Sequence, residues 1–103
     1  MQRFGFLLIP GFSMLSLAAA VEPLRMANAQ AEEELYQWDF LSWGNTSVNA
    51  SNNMVTAPTI DVDQVKMLDV LLVVAGINVA TYGDDVFFAW LRQASRQVDL
   101  LGS

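Results

Sequence analysis

From Phe4 to Val21 no residue carries a formal charge, and Arg3 stands just ahead of the run. A segment of this kind is a secretory leader, a membrane span, or the interior of a folded domain. Pro10-Gly11 falls near its middle and decides the reading. Pro removes a backbone N–H and Gly costs a helix about 1 kcal/mol relative to Ala, so a single spanning helix is disfavoured. The run divides into two pieces. Phe4 and Phe6 to Ile9 form a nearly continuous apolar stretch ending at Pro-Gly, the pattern of a strand buried on both faces of a parallel sheet. Ser13 then caps a helix over Met14 to about Gln30, too crowded with apolar positions for one solvent-facing stripe. Pro23 predicts a kink or restart of that helix near Val21-Glu22. The alternative, a leader removed near residue 21, stays open at this point.

The rest of the chain keeps alternating. Tyr36, Trp38 and Phe40 alternate with Gln37, Asp39 and Leu41 as an imperfect period-two strand, after a solvated Glu32-Glu33-Glu34 turn. Val48 to Ala57, rich in Ser and Asn, reads as a loose hairpin or edge excursion stopped by Pro58, and Asp63 to Leu68 as one helical turn. Val70 to Val74 is the clearest strand and belongs at a sheet centre. Phe87, Trp90, Leu91, Ala94 and Val98 make one helical stripe, with Asp84 and Asp85 at its start and Arg92 and Arg96 near its end. Asp99 to Gly102 opens a last strand. The order predicts an α/β layer fold with a mainly parallel sheet.

Composition removes several functions. The chain has 103 residues, no Cys and no His, which excludes disulfide frameworks, thiolate nucleophiles and Ser-His charge arrangements within it. Five basic against 11 acidic residues give a net charge of −6, which repels nucleic acid. On those grounds Trp38, Trp43 and Trp90, with Phe12 and Phe40, are packing residues rather than a base-stacking platform. Neither a Gly-x-Gly-x-x-Gly nor a Gly-Lys-Ser/Thr cradle follows the first strand. No cofactor is expected. In parallel sheets ligands gather beyond the carboxyl ends of the strands, here Pro10-Gly11-Phe12, Ser42-Trp43-Gly44, Ala75-Gly76-Ile77 and Leu101-Gly102-Ser103.

Phe6 to Ser16, with Val21-Glu22-Pro23-Leu24-Arg25-Met26-Ala27-Asn28, resembles the start of the sensor domain of AraC-family transcriptional regulators of the GlxA-like group. The resemblance continues through Leu35 to Trp38, Ser51-Asn52, Leu68 to Gly76 and Phe88 to Arg92, nearly the whole chain. Those sensor domains are similar to PfpI-type proteases and class I glutamine amidotransferases. The resemblance implies a flavodoxin-like three-layer sandwich, and residues 1–103 as the N-terminal part of a PfpI-like ligand-sensing and dimerisation domain. The strand-turn-helix of the family's nucleophile elbow would fall immediately beyond Ser103, and DNA would be read by a C-terminal helix-turn-helix domain outside this chain. Enzymes of the superfamily place an acidic residue about five positions after the glycine that ends the first strand; here that position is Ser16. A hydroxyl does not supply the same proton chemistry. Glu22 matches a second acidic position, with a structural role or one at a subunit contact, and the relatives' paired glycines appear as Ala75-Gly76.

The resulting expectation is a non-catalytic, cytoplasmic regulator segment that forms a homodimer or higher assembly and binds a small-molecule effector, with no membrane contact. Pro10, Gly11, Phe12, Ser16, Glu22, Ala75, Gly76 and Ile77 are the candidate ligand-binding residues. The competing expectation is a degenerate or incomplete PfpI-like amidotransferase or hydrolase. A Cys shortly after Ser103 with a later His would favour the enzyme, and a basic helix-rich segment further on would favour the regulator.

Overall fold

Strand residues on a pleat alternate between faces, and the opening apolar run uses both. In the computed structural model, which describes residues 1–76 and 82–102, this run is β1 (Gln2–Leu8), an inner strand of a four-stranded sheet. Phe4, Phe6 and Leu8 point to one side and Leu7 to the other, so no face of β1 is left for water. The remaining elements in chain order are α1 (Met14–Ala31), β2 (Tyr36–Leu41), β3 (Val48–Asn49), β4 (Val55–Thr56), a 3-10 helix (Val62–Met67), β5 (Val70–Val74), α2 (Asp85–Ala94) and β6 (Asp99–Gly102). The sheet order is β2-β1-β5-β6 and every pairing in it is parallel, with Phe4 opposite Trp38 on one side and Val70 on the other.

Two apolar layers follow from the pleat. Phe6, Leu8, Phe12, Leu17 and Val74 form one beneath α1; Leu7, Leu41, Leu71, Phe87 and Ala94 form the other beneath α2 and the 3-10 helix. The flavodoxin-like three-layer arrangement is therefore present. The opening uncharged residues are an inner strand and the helix that covers one face of the sheet.

Local chemistry sets the helix ends. Ser13 Oγ accepts from the Ser16 N–H, and Asp84 Oδ1 accepts from the Phe87 N–H, as the capping pattern requires. The expected stripe holds within α2, where Phe87 and Ala94 are buried and Arg92 and Gln93 exposed, but the helix stops at Ala94, so Val98 is buried from the turn that follows and Ser95 and Arg96 lie beyond the helix. Of the expected kink or restart, the restart does not occur: α1 runs as one helix through Pro23. Pro23 is exposed, so the carbonyl its ring leaves without an N–H faces water, while Leu17, Val21 and Leu24 hold the helix on the sheet to either side.

β2 is an edge strand, and its outer edge is stopped at two places. Asn28, projecting from α1, accepts from the Leu35 and Tyr36 N–H groups through Oδ1 (2.9 and 3.0 Å) and donates from Nδ2 to the Tyr36 carbonyl (3.0 Å). Further along, Thr59 Oγ1 accepts from the Phe40 N–H and the Thr59 N–H donates to the Phe40 carbonyl. Asn28→Ala leaves three backbone groups without these partners, and a loss of about 1–3 kcal/mol is expected. Thermal unfolding measures the total, and faster amide exchange confined to residues 35 and 36 would place it; an unchanged midpoint would show that water replaces the side chain.

Candidate functional site

The carboxyl end of β1 turns at Pro10-Gly11 and enters α1 through Phe12 and Ser13. Gly11 has φ +82°, in the left-handed region that side chains with a Cβ disfavour, and Pro10 and Gly11 are exposed while Phe12 is fully buried. The neighbouring β5 ends at Ala75-Gly76, and the two turns pack backbone on backbone. A Cβ placed on Gly76 would lie 2.2 Å from the Gly11 carbonyl oxygen, so only glycine permits this approach. The Ile9 N–H donates to the Val74 carbonyl at 3.0 Å and the Ser13 N–H to the Ala75 carbonyl at 3.4 Å, tying the turns together.

A third piece closes the arrangement. β3 and β4 pair antiparallel as the hairpin expected over Val48 to Ala57, and it docks on the Pro10–Phe12 turn. The Gly11 N–H donates to the Asn49 carbonyl and the Ser51 N–H to the Phe12 carbonyl, each at 2.8 Å, while Phe12 pairs with Ala50 in a bridge. Backbone groups thus converge from three separated parts of the chain. The sequence showed the hairpin through its Ser and Asn content, but nothing in that composition signals where it docks.

The candidate ligand residues divide into groups. Pro10, Gly11, Phe12, Ala75 and Gly76 come together at this crossing. Ser16 stands exposed on the first turn of α1, its N–H held by Ser13 Oγ at 3.2 Å. Glu22 lies six residues further along α1, roughly 9 Å at the rise of a helix, and forms an exposed ion pair with Arg25 instead of facing the crossing. Ile77 lies outside the described residues.

Beside the crossing, on the α2 face, Trp43 follows β2 and packs edge-on against Phe87 at 5.4 Å and tilted against Trp90 at 5.5 Å. Tyr82 meets Phe87 edge-on at 5.2 Å. Burial, and to a lesser degree the nearby Asp84 carboxylate, raise the Tyr82 phenol above its ordinary pKa, so it stays a neutral hydroxyl. With Phe12 inside the α1 layer and Trp43 and Trp90 in this cluster, the aromatic residues serve packing, as the charge argument required. A hollow of about 500 Å³ lies at the opposite end of the sheet, lined by Asn28, Glu33, Tyr36, Gln37 and Trp38. Among the described residues no group of three or more His, Cys, Asp or Glu is placed to hold a metal.

No protein-family profile matches the chain. It is 40% identical over 101 residues to the HTH-type transcriptional regulator CdhR of Pseudomonas aeruginosa, covering 98% of this chain and 30% of that protein. Against the HTH-type transcriptional regulator GbdR of the same species, identity is 36% over 102 residues, covering 99% and 28%. The chain is similar in sequence to part of these HTH-type transcriptional regulators. Its fold agrees: an AraC family regulator from Pseudomonas putida superposes with a TM-score of 0.84 at 24% identity, covering 99% of this chain and 55% of that one. A THiJ/PfpI family protein from Pseudomonas syringae superposes at 0.72 and 16% identity, covering 98% and 41%. The chain thus has the DJ-1/PfpI-like, flavodoxin-like fold, and spans about 30% of the length of the curated regulators it matches. Among the described residues no helix is long and apolar enough to cross a membrane.

Proposed function

We propose that residues 1–103 are the N-terminal part of a ligand-sensing and dimerisation domain of a transcriptional regulator. A small-molecule effector binds beyond the carboxyl ends of β1 and β5, and DNA is contacted by a helix-turn-helix domain outside these residues, in the cytoplasm. The observation that carries this reading is the crossing of Gly76 over the Gly11 carbonyl with the β3–β4 hairpin hydrogen-bonded to both Gly11 and Phe12. A ligand that touches this crossing touches three chain segments at once, and its differential affinity for two arrangements of them is what shifts a population. Ser16, where superfamily enzymes carry an acid, favours sensing over catalysis.

The test is a two-dimensional amide NMR titration of the chain with pooled small metabolites. Saturable shifts clustered at Gly11, Phe12, Ser51 and Gly76 are expected. Shifts clustered instead around Tyr36 and Trp38 would move the site to the opposite end of the sheet, and hydrolysis of an amide or ester substrate by the chain would replace sensing with catalysis.

A further inference from the structure

The N–H and C=O groups of successive residues on an edge strand turn alternately toward the sheet and away from it. The Gln2 N–H donates to the Leu35 carbonyl, so the odd-numbered residues of β2 bond to β1, and Tyr36, Trp38 and Phe40 turn their backbone groups outward. Asn28 takes those of Tyr36, and Thr59 those of Phe40. Among the described residues nothing bonds the outward N–H and C=O of Trp38, which lies between them. The two stops are four residues apart, about 13 Å at the rise of a strand. That gap is too short to admit another strand and long enough for a small molecule.

The hollow of about 500 Å³ lies at this gap, between the end of α1 and the start of β2. Half-buried Tyr36 and Trp38 line it, together with the exposed Glu33 and Glu34. The described residues hold one ion pair, Glu22 with Arg25, so both of these carboxylates are without a cation. Two unpaired carboxylates, a free backbone carbonyl and two aromatic rings around one space all call for the same chemistry. An ammonium group donates to the carbonyl and to the carboxylates, and the rings attract its charge and cover its methylenes. An anion is repelled by the net charge of −6, and a neutral ligand leaves the carboxylates unpaired.

We propose that this hollow is a binding site for a small aliphatic amine, separate from the crossing of Gly11 and Gly76. Amide NMR titration of the chain with n-pentylamine at constant ionic strength tests it. Saturable shifts are expected at Glu33, Glu34, Tyr36 and Trp38, with Gly11 and Gly76 unmoved. Glu34→Gln should raise the dissociation constant by about threefold, as the loss of one exposed ion pair does. Glu32→Gln removes the same charge from the same turn without lining the hollow, and should change it by less than about 1.5-fold. The trimethylpentylammonium ion has the same charge and stem but no N–H, and should bind about threefold or more weakly. Each variant's own spectrum shows whether it is folded. Equal weakening by Glu32→Gln and Glu34→Gln would reduce the site to diffuse attraction by an acidic surface and overturn the proposal. So would shifts centred on Gly11 and Gly76, non-saturable shifts, or equal affinity for the quaternary ion.

Discussion

Replacing Phe6 with alanine is expected to lower stability by about 3–5 kcal/mol, the usual loss for a large aromatic removed from a packed interior. Phe6 is fully buried in an inner strand, its ring centroid 6.0 Å from that of Phe40, and it sits beneath α1 with Leu8, Leu17 and Val74. The layer above is one helix thick, and α1 is held there by few buried side chains, Leu17 chief among them. Collapse into the gap would therefore have to move the whole helix, which favours the upper end of the range. Domains of this size hold about 5–15 kcal/mol in total, and each kcal/mol shifts the midpoint by about 4–8 °C. Chemical denaturation should show a midpoint lowered by between about a fifth of its original value and all of it. A shift of under about 1 kcal/mol would mean that Phe6 is not in the interior described.

The second large effect is local. Gly76→Ala places a methyl group where the Gly11 carbonyl oxygen stands, at 2.2 Å, and both partners are backbone, so neither relieves the contact by changing rotamer. Overpacking of this kind costs about 1–3 kcal/mol. The greater consequence is geometric: parting the two turns strains the Ser13–Ala75 bond and the two bonds that hold the hairpin to Gly11 and Phe12. Amide exchange at Gly11, Ser13 and Ser51 should accelerate far more than exchange in β5, and any effector affinity of the crossing should fall. Uniform exchange across the domain with an unchanged midpoint would contradict the close approach.

These two positions also show what a sequence discloses. Phe6 was legible because an inner parallel strand needs apolar residues on both faces, and a run such as Phe6 to Ile9 has little else to become. Val70 to Val74 spoke for the same reason, and the caps at Ser13 and Asp84 spoke because a side-chain oxygen three residues before a free N–H is a local arrangement. Gly76 stood out as one of several turn glycines and as the counterpart of the relatives' paired glycines, but the contact it makes did not. Its partner is the backbone of a residue far back in the chain, and backbone contacts leave no trace in composition. Asn28 was silent likewise: one amide holding two residues of the next strand looks, in sequence, like any helical Asn. Pro23 misled because its effect on a helix depends on whether the orphaned carbonyl meets water, which burial decides.

The blocked edge of β2 gives the domain a polarity that matters for how it grows. A sheet with two bare margins can recruit neighbours without end and so form fibrils. With Asn28 on the backbone of Tyr36 and Thr59 on that of Phe40, the β2 margin is closed to such recruitment at both ends of the strand.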